Sequence, residues 1–70
     1  MTKQEFLTEL RDAVSGLPKK DIEENIDFYS EIIDDRIEEG KKEEDVISEI
    51  GAVKDIATQI IADTPLVKIA

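Results

Sequence analysis

The side chains best suited to chemistry in this chain are acidic and crowded together. The stretch "DDRIEEGKKEED", residues 34–45, holds seven carboxylates in twelve positions, interrupted by Arg36, Ile37, Gly40, Lys41 and Lys42. Such a run suggests three uses: ligation of a hard cation, acid–base work by paired carboxylates, or attraction of a basic partner. A calcium loop requires oxygen ligands at fixed steps around a central glycine. With Gly40 in that place, the first three ligand positions fall on Asp35, Ile37 and Glu39. Isoleucine has no oxygen to offer, so no metal ligand is assigned. Paired carboxylates become acid and base only where burial separates their pKa values. Here they fall on the polar side of an amphipathic pattern, where water keeps them ionised.

The rest of the composition narrows the field further. The chain has no histidine and no cysteine, which removes the usual general base near neutral pH and the commonest zinc ligands. No serine or threonine stands in a nucleophile motif. The expectation is a protein that is not an enzyme, with no catalytic residue and no cofactor. A net charge of −9 opposes direct nucleic-acid binding, which needs cations to displace the counterions of phosphate. The same charge opposes docking on anionic lipid. No run reaches the 18 or so apolar residues of a membrane-spanning helix, and "MTKQEFLTEL" lacks the apolar core of a signal peptide.

Seventy residues make one domain, whose core can supply only about 3–5 kcal/mol of net stability. The elements that position the acids are helical throughout. "TKQE" is a capping box, with Thr2 as N-cap and Glu5 reaching back. Phe6, Leu7, Leu10, Val14 and Leu17 then recur at three- and four-residue steps, giving one apolar face. "SGLP" ends this helix, with Gly16 expected in a left-handed C′ position and Pro18 in the first turn of the next helix. The second helix is predicted from Pro18 or Lys19 to Glu39, with Gly40 as its stop. Ile22, Ile26, Tyr29, Ile33 and Ile37 form its apolar stripe, and Phe28 and Ile32 widen one flank. Glu24, Asp27, Glu31, Asp35 and Glu38 lie opposite. A short third helix is predicted over Glu43–Ile50, closed by Gly51. A fourth starts near Val53, carries Ile56, Ala57, Ile60 and Ile61, and breaks at Asp63-Thr64-Pro65.

The opening stretch now has a place. Lys41 and Lys42 follow the end of the second helix, and Glu43, Glu44 and Asp45 open the third, so the charges complement the helix dipoles. It reads first as a joint. The long acidic stripe is less easily absorbed, because like charges three or four residues apart destabilise a helix. A solvated face would keep the domain soluble, whereas a docking face for a basic protein would draw on the same charges for steering. Tyr29 is expected in the core with its hydroxyl at the rim. Arg36 is expected to lay its stem over the core and pair with Glu39.

Taken in order, "KQEFLTELRDAVSGLP", the acid-rich helix with Tyr29, and "EEGKKEEDVISEIGAVKDIA" resemble the HAAS signalling domain, a small all-helical bacterial module. The resemblance spans residues 3 to about 61. It departs from the family's habits at Lys42, where a serine-like cap is common, and at Ala52-Val53, where a proline often follows the glycine. What the resemblance implies is a non-catalytic cytoplasmic module at the N-terminus of a membrane protein, relaying a signal to a PadR-like transcription regulator.

The expected architecture is therefore an all-α, compact bundle of about four short helices over residues 1–63. Residues 64–70 are expected to form a tail, more apolar at "LVKIA" than an exposed terminus usually is, leading towards a membrane span in the parent protein. The partner-binding candidates are Glu24, Asp27, Phe28, Glu31, Ile32, Asp35 and Glu38. Two rival readings are an acidic phosphate mimic that inhibits a nucleic-acid-binding protein, and a structural domain that pairs with a second copy of itself. Calorimetric titration with calcium or magnesium is expected to reveal no saturable site tighter than about 10⁻⁴ M. Tighter binding accompanied by a rise in melting temperature would restore a metal site.

Overall fold

The computed structural model describes residues 1–64. Four helices follow one another along the chain: α1 (Lys3–Ala13), α2 (Lys19–Glu38), α3 (Glu43–Ile50) and α4 (Val53–Asp63). Among the described residues there is no strand. The expected bundle of four short helices is what forms, with α2 the longest.

Local chemistry sets the helix boundaries. At the start of α1, the Glu5 amide donates to Thr2 Oγ1 at 3.1 Å, and the Thr2 amide donates to Glu5 Oε1 at 2.9 Å. The capping box read from "TKQE" is complete. At the end of α2 the Gly40 amide donates to the Ile37 carbonyl and the Lys41 amide to the Arg36 carbonyl. This pair of bonds is a Schellman motif, and it needs the left-handed residue that Gly40 supplies at φ 102°. Gly51 closes α3 at φ 112° and ψ −173°, a conformation essentially reserved for glycine. Lys42 and Ala52, at the N-caps of α3 and α4, make no side-chain cap bond.

Gly16 departs from expectation. It does not adopt a positive φ. The chain instead leaves α1 through successive tight turns, Ser15 amide to Asp12 carbonyl and Leu17 amide to Val14 carbonyl. Those bonds continue the right-handed winding, so no left-handed residue is required.

The core is a single cluster contributed by all four helices. Phe6, Leu10, Val14, Ile33 and Val46 are wholly buried, and Leu17, Ile26, Ile47, Ile56, Ala57 and Ile60 complete it. Leu7, Ile22 and Tyr29 pack against its edge. The principal interfaces are α1 with α4, α1 with α2, α1 with α3, and α2 with α3. The single apolar stripe of α2 (Ile22, Ile26, Tyr29, Ile33) predicts packing on both α3 and α4, but among the principal interfaces α2 meets α3 and not α4. Helix α4 rests chiefly on α1, because the apolar residues of α1 span an arc wide enough to face two neighbours.

Two apolar residues expected inside lie further out. Ile37 is 36% exposed. It shares the stripe angularly, but it sits in the last turn of α2, where the chain turns at Gly40 towards α3. Ile61 is 41% exposed because α4 buries Ile60 and Ala57 on α1 and turns the next position outward. The apolar exit expected from Pro65 onward lies outside the described residues. Thr64, which precedes it, caps α4 by donating its amide and its hydroxyl to the Ile60 carbonyl.

Truncating a wholly buried side chain leaves a cavity as well as removing apolar area. Ile33→Ala should therefore cost about 2–5 kcal/mol in chemical denaturation, enough to unfold much of a domain this small. Ile37→Ala should stay near the half kcal/mol typical of surface changes. Equal losses at the two positions would show that the stripe is misplaced.

Candidate functional site

The acidic run between α2 and α3 is built as a clamp. Asp34 accepts from Lys3 Nζ of α1 at 2.7 Å, and Glu43 accepts from the Lys3 amide at 3.0 Å. Glu49 of α3 accepts from Arg36 Nη1 at 3.2 Å and from Lys41 Nζ at 3.2 Å. Arg36 thus pairs across to α3 rather than with Glu39 on its own helix. The bend at Gly40 brings Glu49 within reach, and a partner on a second helix fixes the joint where a neighbour on the same helix does not. Among the described residues, no three carboxylates are grouped so as to hold a metal ion.

The second clamp joins α1 to the first half of α2. Arg11 Nη1 donates to Glu23 Oε2 at 2.8 Å. Lys3–Asp34 and Arg11–Glu23 run in opposite senses along the two helices, so α1 and α2 are antiparallel. The hydrogen bond from Arg11, reinforced by its charge, holds the Glu23 carboxyl below the usual glutamate range. Glu23 in turn raises the Arg11 guanidinium, mainly through the same bond, with a smaller contribution from Asp27.

Beyond these clamps lies the outer face of α2. Glu24, Asp27, Phe28, Glu31, Asp35 and Glu38 are exposed and Ile32 is half-buried. The helix brings the seven together on one side, with spacings of three and four residues. None of the five carboxylates forms an ion pair among the described residues, in contrast to Glu23, Asp34 and Glu49. Phe28 is 57% exposed and meets the Tyr29 ring edge-on at 5.1 Å. Tyr29 meets the buried Phe6 ring at 6.3 Å. Both separations lie in the range of favourable aromatic pairs, so Phe28 is held in place from the core outward. Ile32 adjoins a shallow notch that it lines with Asp35, Arg36 and Glu39. The face can offer a fixed aromatic, an aliphatic ledge and a surround of negative charge.

A second concavity was not singled out from the sequence. It is an open groove of about 560 Å³ between α1 and α4, lined by Glu9, Asp12 and Ala13 on one wall and Lys54, Ala57 and Ile61 on the other. The signal was present in principle, since Ala13 and Ala57 are small residues at helical positions beside the core. Small side chains leave a hollow only once two helices are known to be neighbours.

With the geometry in hand, the comparison that decides identity is a match to the HAAS family model over residues 5–59. The chain belongs to the HAAS family. No curated protein and no solved structure matches it. The matched span of this HAAS domain runs from the first turn of α1 into α4, so it contains both glycine turns, all seven residues of the α2 face and the Arg11–Glu23 clamp, while Lys3 lies just before it. Among the described residues, no helix is long and apolar enough to cross a membrane.

The Arg11–Glu23 clamp has a pH signature. A glutamate with a lowered folded-state pKa contributes stability that is fully present above its unfolded value, about 4.3. That contribution is lost as the pH falls through the lowered folded value. Carboxyl-resolved NMR titration should find Glu23 titrating at lower pH than exposed glutamates, and Arg11→Gln should return it to their range. A titration unmoved by the substitution would show that the pair is not formed in solution.

Proposed function

We propose that this HAAS domain is a non-catalytic interaction module that docks a basic protein partner on the outer face of α2. In the parent protein that partner is a PadR-like transcription regulator, and the domain signals to it from the cytoplasmic side of a membrane. The family membership supports a small signalling or interaction domain. The observation that carries the docking face is the exposed Phe28, braced on Tyr29 and set among carboxylates that form no ion pair among the described residues.

The energetics favour recognition over stability at this face. Asp27–Glu31 and Glu31–Asp35 are like-charge pairs four residues apart, each costing a few tenths of a kcal/mol. Interspersed lysines would relieve them. Leaving the charge in place raises the encounter rate with a positively charged surface, while Phe28 and Ile32 supply apolar contact once the partner has docked.

Replacing Glu24, Glu31 and Glu38 by glutamine removes charge without altering shape. The triple variant should be slightly more stable alone, and it should associate with the PadR-like regulator roughly tenfold more slowly at low salt. Its rate should also vary less with salt, because screening acts on the charges that were removed. Equal rates for both proteins at every salt concentration would sink electrostatic docking and move recognition to Phe28 and Ile32. Addition of operator DNA separates the phosphate-mimic reading, in which the domain and DNA compete.

A further inference from the structure

The groove between α1 and α4 lies apart from the proposed docking face, since it is lined by those two helices alone. Its floor is small and apolar, with Ala13 on one side and Ala57 on the other. Its lip carries Ile61, an aliphatic side chain that is 41% exposed. The α1 wall bears Glu9 and Asp12, and the α4 wall bears Lys54. None of these three charges has an ion-pair partner among the described residues. The groove therefore presents a projection beside a hollow and an anionic wall opposite a cationic one.

We propose that this groove is a self-association surface whose occupant is the same groove of a second copy of the chain. A surface pairs with itself about a two-fold axis when each of its features meets the complementary feature of its copy. An axis running along the groove lays α4 of one copy over α1 of the other. Lys54 then faces the partner copy's Glu9 and Asp12, twice over by symmetry, and each Ile61 turns towards the other copy's alanine floor. An axis across the groove would instead set α1 on α1 and juxtapose like charges, so the charge pattern selects one arrangement. The net charge of −9 on each copy opposes association in general. Pairing through this groove answers that opposition because its charges are mixed, and because the unneutralised carboxylates of α2 stay outside the contact.

A charge-swap experiment on the full chain tests the pairing by sedimentation equilibrium. Wild type should show concentration-dependent dimerisation. Lys54→Glu should weaken it by roughly tenfold or more, since like charges would then face each other across the contact. The double variant Glu9→Lys with Asp12→Lys should weaken it similarly, and an equimolar mixture of the two variants should restore a mixed dimer. As a check that needs no variant, backbone amide shifts of wild type should move on dilution at Ala13, Thr58 and Ile61 but not at Glu24 or Phe28. A wild type monomeric at high concentration overturns the proposal. So does a dimer indifferent to Lys54→Glu, or dilution shifts that fall on α2. Because these measurements need no regulator, their failure leaves docking on α2 standing, and failure of docking leaves them untouched.

Discussion

Helix α1 has only 11 residues, yet it touches every other helix, and that constraint organises the domain. Phe6, Leu10 and Val14 are buried to zero exposure because neighbours stand on more than one side of them. Burying side chains this completely is the main favourable contribution to so small a core. The polar edge of α1 is placed accordingly. Lys3 and Arg11 reach to α2, and the Lys3 amide holds the first turn of α3. Most of what lies far from α1, including the outer face of α2 and the end of its last turn, is left for water or a partner.

This arrangement also explains which cations are available to the acidic face. Lys3, Arg11, Arg36 and Lys41 are engaged in clamps between helices. Each pair is exposed and individually worth little in water, but their positions at both ends of the α1–α2 contact and at the α2–α3 bend favour one register. The α2 carboxylates used for clamping, Glu23 and Asp34, lie on the flank facing α1, and Glu49 of α3 serves Arg36 and Lys41. Those on the far side of α2 form no ion pair among the described residues.

Much of the fold was legible in the sequence because its signals are local. The capping box at Thr2, the stops at Gly40 and Gly51, and the three- and four-residue recurrence of Ile22, Ile26, Tyr29 and Ile33 each follow from backbone chemistry within a few residues. The misplacements have a common cause, which is that they depend on which helix lies beside which. Ile37 has the right angular position and the wrong height. Arg36 has Glu39 three residues on along its own helix, but the bend delivers Glu49 instead. Gly16 permits a left-handed conformation that the turn does not use. The acidic face of α2 could be drawn from periodicity alone, whereas the α1–α4 groove required knowing that the first and last helices meet.

That meeting has a consequence for how the domain comes into being. The chain is synthesised from α1 onward, and α2 and α3 can begin to cover it as they emerge. The surface of α1 that α4 covers, however, waits for the last of the four helices. Until Ile56, Ala57 and Ile60 arrive, part of the central helix stays wet and the nascent bundle is incomplete. Closing the first helix against the last also spans the longest loop in the domain, a contact that is entropically the slowest to form. A chain that stops short of α4 therefore lacks the cover that Ile56, Ala57 and Ile60 give the core, and the apolar surface of α1 beneath them is left to water.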